Sequence, residues 1–178
     1  MGKVHPAIQV NLIVGMLSNV TGLFETAQTR LEKELGPVEL KSNTLPFNYT
    51  DYYEKEMGRD IKRLFLSFHR LIDPGALADI KLFTNGLEEL YRDEACPKDG
   101  VLPTKGGLSG FSTLALSKGA SPVRPDGANP GRPVNIDPGY LTSSKLVLAS
   151  TNDYSHRIYL KKGIYAEVTL RYVKGAFE

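Results

Sequence analysis

"IDPGYLTSSKL", Ile136 to Leu146, echoes "IDPGALADIKL", Ile72 to Leu82, and the reading of these two stretches decides the fold. In each, an Asp stands before a Pro and a Gly. An Asp carboxylate accepts hydrogen bonds from the orphan amides of a first helical turn, and a Pro at the first helical position presets the backbone without removing a needed donor. Asp73-Pro74 and Asp137-Pro138 are therefore both expected to open helices, the second running from Pro138 to Ser150. Two such starts suggest either an old duplication or shared helix-start physics, and the residues outside the motif do not separate the two.

Working outward, Val10 to Leu17 is apolar enough for a buried strand, and Leu23, Ala27, Leu31 and Leu35 follow at helical spacing before Gly36-Pro37. Val38 to Phe47 reads as extended. In "IKRLFLSFHRL" Phe65, Ser67 and His69 alternate with Leu64, Leu66 and Phe68, the period of a strand. The helix opened by Asp73 is expected to carry Leu77, Ile80, Leu87 and Leu90 toward a core. Gly, Pro, Ser and Lys dominate Ala95 to Pro133, which reads as a long irregular loop or insertion. After it come a short strand at Val134 to Ile136, the second helix, and a hairpin turning at Lys161-Lys162-Gly163. In the second arm of that hairpin Ile164, Ala166, Val168 and Leu170 are expected on one face, with Tyr165, Glu167, Thr169 and Arg171 on the other.

These elements predict one α+β domain over residues 1–178: a two-layer sandwich of a mainly antiparallel sheet with helices on one face, and a ferredoxin-like core as the first expectation. The size and the 41% hydrophobic and 24% charged content suit a single folded domain. A formal charge of +2 is too small to indicate nucleic-acid binding by bulk electrostatics. The single Cys, Cys96, excludes an intramolecular disulfide and a Cys-rich zinc site, and fits a reducing cytoplasm. Pro6, Gln9 and Asn11 interrupt the N-terminal apolar run, so a mature cytoplasmic start without membrane attachment is expected.

Three motifs in order, "PFNYTDYYEKEMG", "FLSFHRLIDPGALADIKLFTNGLEE" and "VNIDPGYLTSSKLVLASTNDYSHRIYLKKGIYAEVTLRY", resemble the uncharacterised prokaryotic domain-of-unknown-function family 4416. Some members of that family carry the label "GTP-binding protein", so the resemblance implies a nucleotide ligand. The chain departs from the family pattern between Ala95 and Pro133, where the family has a shorter link.

The residues themselves supply no P-loop: "TKGGLSGFST" and "LSKGAS" hold glycines without the Lys-Ser or Lys-Thr register that wraps phosphates. No H-x-x-x-H, H-x-H or D-x-D spacing ties metal ligands together, and no G-x-S-x-G elbow presents a nucleophile. The most concentrated polar constellation is "STNDYSHRIY" with the outer face of the last long strand. His156, Arg157, Glu167, Thr169 and Arg171 are expected on adjacent arms, joined by Asp137 and Lys145 from the second helix start. Arginine suits planar phosphates or carboxylates, Lys145 supplies point charge, and His156 beside a carboxylate is the candidate for proton transfer. The expected function is binding of a nucleotide or other phosphate-bearing small ligand. The cofactor is left open, and a homodimer is compatible with the pattern. A solvated sheet face laced with Glu-Arg pairs explains the same residues structurally. The alternative function is an RNA- or protein-binding assembly module built on Tyr159, Tyr165 and Tyr172. A second group, Asp51, Tyr52, Tyr53 and Glu54, suits a cation or sugar ring, or a capped turn with packed tyrosines.

Overall fold

The first strand, β1 (Val10–Ser18), buries Leu12, Val14 and Met16 on one face, with Asn11, Ile13 and Gly15 on the other, as period-two alternation requires. The computed structural model describes residues 2–48, 53–95 and 131–178. Helix α1 (Gly22–Leu35) lays Phe24, Ala27, Leu31 and Leu35 over the buried face of β1. It stops at Gly36, whose φ of 97° disfavours a side chain and whose N–H returns to the Glu32 carbonyl at 3.0 Å. Then come β2 (Val38–Lys41), β3 (Leu45–Pro46), the single turn α2 (Glu54–Met57) and β4 (Lys62–Ile72). A 3-10 turn over Pro74–Ala76 leads into α3 (Leu77–Ala95). The remaining strands are β5 (Asn135–Leu141), β6 (Lys145–Ser150), β7 (Ile158–Lys161), β8 (Ile164–Val173) and β9 (Ala176–Phe177).

The main path of the sheet runs β2-β4-β1-β5-β6-β8-β7, with β3 on β4 and β9 on β8, and every ladder is antiparallel. Residues of α1 and α3 meet Leu64, Leu66, Phe68, Val134 and Ile136 in one apolar cluster, so both helices cover the same face. Full burial of each large apolar side chain there contributes about 1.5–3 kcal/mol. The chain is thus an α+β sandwich built on an antiparallel sheet. Among its strands, β2-β4-β1-β5 are interleaved, since the α1 and α3 connections each skip one strand. The ferredoxin-like expectation concerns these four strands alone, and the sheet continues beyond them through β6, β8 and β7.

The two echoing stretches fold differently. Asp73 caps its turn as expected, with Oδ1 accepting from the Gly75 N–H at 2.7 Å. Asp137 opens no helix: it lies within β5 opposite Gly15, and Pro138 to Ser150 form the end of β5, a turn and β6. Local chemistry makes the turn. Thr142 Oγ1 accepts from the N–H groups of Ser144 and Lys145 at 3.2 and 3.0 Å, and the Thr142 N–H donates to the Lys145 carbonyl at 2.9 Å. Beyond it Val147 and Ala149 point into a small apolar cluster with Leu77, Ala78 and Ile164, which is strand alternation and not a helical stripe. Pro138 is tolerated inside the sheet because β6 pairs with β5 only from Gly139 onward, so its missing N–H breaks no rung on that side.

Two further expectations change. In α3 Leu90 is exposed and Tyr91 takes the buried position. In β8 the register to β6 slips, so that Val147 faces Val168 while Leu146 faces Leu170, leaving Thr169 as an extra residue. Val168 and Leu170 therefore fall on opposite faces, and Arg171, opposite Lys145, leaves the face that carries Glu167. The loop expected over 95–133 lies, except for its ends, outside the described residues, as do Asp51, Tyr52 and Cys96.

Gly139 is buried where β5 and β6 first touch, and a Cβ there would overlap the Val147 carbonyl. Gly139→Ala should destabilise the fold by about 2 kcal/mol, because backbone cannot yield as a side chain does. Gly86, in exposed helix with nothing near its Cβ position, is the control: Gly86→Ala should stabilise by about 0.5–1 kcal/mol through helix propensity. Chemical denaturation of both variants checks the pair.

Candidate functional site

Strands β5 and β6 are paired only over Gly139 to Leu141, so toward the start of β5 and the end of β6 the sheet forks. On α3, Leu77, Lys81, Thr84, Glu88 and Tyr91 recur every three or four residues, one stripe facing inward, and all five are buried. Lys81 and Glu88, 4% and 6% exposed, therefore reach the open edge of β5. Glu88 Oε1 accepts from the Ile136 N–H at 2.6 Å, and Lys81 Nζ donates to the Ile136 carbonyl at 3.1 Å. Side chains thus replace the absent strand partner of that peptide group.

The same two groups organise the wall around them. Lys81 Nζ lies 2.7 Å from Asp137 Oδ1 and 3.8 Å from Glu88 Oε1, and Asn135 Nδ2 donates to Asp137 Oδ2. Arg132 bridges Glu88 at 2.9 Å and Glu56 of α2 at 3.2 Å. Gly131 makes that bridge reachable, since a Cβ there would fall on the Glu56 carbonyl. Burial pushes the Glu88 carboxyl above its ordinary range, against the pull of Lys81, Arg132 and the Ile136 amide.

Across the fork stands Arg157. Its Nε donates to Glu167 Oε2 at 2.7 Å, its Nη1 to Ser150 Oγ at 2.7 Å and to the Asn152 carbonyl at 3.1 Å, and its guanidinium lies 4.8 Å from the Tyr154 ring centre. His156 Nε2 is 3.1 Å from the same Glu167 oxygen. Although partial burial pulls upward, the bonds from Arg157 and His156 hold the Glu167 carboxyl below its ordinary value. Between these groups and α3 lies a cleft of about 680 Å³.

Of the residues expected from sequence, Asp137, Arg157 and Glu167 line this one cleft, and His156 sits outside its lining, bonded to Glu167. Thr169, the extra residue of the β8 bulge, donates to Glu167 Oε1 at 3.3 Å. Lys145 and Arg171 are not brought in: they face one another across β6 and β8, and Arg171 pairs with Glu178 at 3.3 Å. Lys145 was expected there through a helix that does not form. Sequence reasoning missed Lys81, Glu88, Arg132 and Asn135. The signal for the first two was present, because a Lys and a Glu seven apart interrupt an otherwise buried helical stripe. Among the described residues no group of three or more His, Cys, Asp or Glu is placed to hold a metal ion, and no helix is long and apolar enough to cross a membrane.

Fold and site together define an antiparallel α+β sandwich with a polar cleft at a fork in its sheet. The chain belongs to the family described as Domain of unknown function (DUF4416), whose model matches residues 8–98 and 123–178. Both walls of the cleft fall within those segments. No curated protein and no solved structure matches the chain.

Two measurements test the network. Lys81→Ala leaves Glu88, Asp137 and the Ile136 carbonyl without their buried cation, and should cost about 3–5 kcal/mol in denaturant unfolding. Glu88→Gln keeps an acceptor for the Ile136 N–H and removes the titration. The folded-state pKa of Glu88 lies above its unfolded value, so wild type gains stability from this group as pH falls through the raised pKa, and the gain is complete below the unfolded value of about 4.3. The stability of Glu88→Gln relative to wild type should accordingly increase as pH rises above about 4.3 and level off once the raised pKa is passed. A difference that does not change with pH would contradict the assignment.

Proposed function

We propose that this protein binds a small polar metabolite bearing a phosphate group in the fork between β5 and β6. The observation that carries the reading is the convergence of Asp137, Arg157 and Glu167 with the buried Lys81 and Glu88 on one cleft. Its volume falls within the range of about 300–1,000 Å³ typical of ligand cavities. Arg157 is the anion-binding group: its guanidinium is oriented by Glu167, Ser150 and the Tyr154 ring, so little side-chain freedom remains to be lost when a phosphate arrives. Ser150 and Thr151, also in the lining, add hydroxyl donors at the same end. His156, bonded to Glu167, is the group placed to move a proton. Nucleotides belong to this ligand class.

A second reading rests on a different surface. Tyr159 and Tyr172 are 58% and 50% exposed, and Ile158, Val168 and Phe177 are exposed on the same terminal strands. This favours an assembly face for RNA or a protein partner.

A thermal-shift screen of nucleotides and other phosphorylated metabolites separates the two. A ligand binding only the folded state at 100 times its Kd adds about 2.7 kcal/mol, a readily measured rise in midpoint. Arg157→Ala should weaken binding of a hit by about 2 kcal/mol, roughly thirtyfold in Kd, while costing stability only about 1 kcal/mol. A flat screen accompanied by RNA binding or self-association would move the assignment to the terminal strands.

A further inference from the structure

We infer that the ligand of the fork is a sugar phosphate, a polyhydroxylated carbon skeleton with a single phosphate, and not a nucleotide; the inference rests on the phosphate-ligand reading above. A nucleobase is held chiefly by stacking of its flat ring on aromatic or apolar surface. Among the lining side chains only Leu148, Ala149 and Tyr53 are apolar or aromatic, and the rest carry hydrogen-bonding or charged groups. That composition suits a ligand whose own surface is hydroxyl.

A sugar hydroxyl both donates and accepts, so it is best met by planar side chains that do the same from fixed positions. Asn135 and Asp137 stand two apart on β5 and are bonded to each other, with Lys81 holding the other carboxylate oxygen at 2.7 Å. A carboxylate has about four acceptor sites, so Asp137 retains capacity to accept from hydroxyls after these two bonds. Asn85 of α3 and Asn152 beyond β6 supply amides on other parts of the lining. Backbone adds one acceptor. The Lys145 carbonyl is directed toward β5, where it accepts from Thr142, so by the period of the strand the N–H and C=O of Ala149 point toward β5 as well. The β5 ladder ends at Gly139 opposite Leu148, a rung that uses the Ala149 N–H, and Pro138 has no N–H to return, which leaves the Ala149 carbonyl facing the fork.

Charge gives the same answer. The lining holds Lys81, Arg92, Arg132 and Arg157 against five carboxylates, Glu56, Glu88, Glu89, Asp137 and Glu167. That balance opposes the larger charge of a triphosphate without a counter-cation more strongly than one phosphate placed at Arg157, and so argues against a nucleoside triphosphate.

The test is calorimetric titration of the full chain with glucose 6-phosphate, ribose 5-phosphate, glucose, inorganic phosphate, GMP and GTP. At least one of the two sugar phosphates should bind at least about tenfold more tightly than glucose, inorganic phosphate and either nucleotide. Asn152→Ala and Asn85→Ala, on accessible side chains outside the buried network, should each weaken the sugar phosphate by about fivefold and leave any inorganic phosphate affinity unchanged, while Arg157→Ala weakens both. Asp137→Asn, checked for folding by circular dichroism, should do the same as the two Asn variants more strongly. GMP or GTP binding as tightly as the better sugar phosphate would overturn this inference and leave the phosphate-ligand reading standing, and so would inorganic phosphate alone matching it. Silence from every phosphorylated probe would overturn both.

Discussion

Where β6 leaves β5, the peptide group of Ile136 has no strand opposite it, and Glu88 and Lys81 take that strand's place. A carboxylate accepts from the amide N–H and an ammonium donates to the carbonyl, so the backbone N–H and C=O of one residue are satisfied by two side chains of a helix seven residues apart. An unmet buried peptide group costs on the order of a lost hydrogen bond, and an isolated buried charge costs far more. The arrangement persists because each of the four groups answers another. Lys81 also meets Asp137, Glu88 also meets Arg132, and Arg132 ties the assembly to α2 through Glu56.

A fork of this kind has consequences for chemistry. A fully zipped sheet would bury Asn135 and Asp137 against a neighbour, whereas the parted strands leave them lining a cleft with Ser150 and Arg157 on the facing wall. The charged network holds the fork open from the helix side, and Gly139 closes it at the vertex by letting the Val147 carbonyl approach. Pre-set polar groups in a partly dry space are what selective binding of a small polar molecule requires. The C-terminal strands offer a contrasting surface, with Tyr172 stacked edge-on against Phe177 and Tyr159 against Tyr165, and with apolar residues left in solvent.

Much of the architecture was legible in residue periodicity. Leu12, Val14 and Met16 on β1, Phe24 to Leu35 on α1, and Leu64 to Phe68 on β4 each carry the period of the element they form, because burial of one face selects it. The pairing of Arg157 with Glu167 was legible too, since a hairpin turning at Lys162-Gly163 brings the two arms together. The echo misled for a physical reason. An Asp-Pro-Gly helix start is a local preference worth about 1 kcal/mol. At Asp73 nothing outweighs it, while at Asp137 pairing with β1, the β6 ladder that starts two residues on, and the bonds to Lys81 and Asn135 do.

By itself, then, the sequence determined the alternating and winding segments from β1 to α3 and the hairpin turn at Lys162-Gly163, since these are local matters of side-chain spacing and backbone bonding. Only the tertiary structure decided that the second Asp-Pro-Gly is a strand, that β8 carries an extra residue which turns Arg171 away from Glu167, and that β5 and β6 part to make a cleft. Those outcomes depend on partners far along the chain: Lys81 lies 56 residues from Asp137, and Arg132 lies 76 residues from Glu56. No short window of sequence contains both members of such a pair, and the energy that joins them exists only once the sheet has brought them within hydrogen-bonding distance.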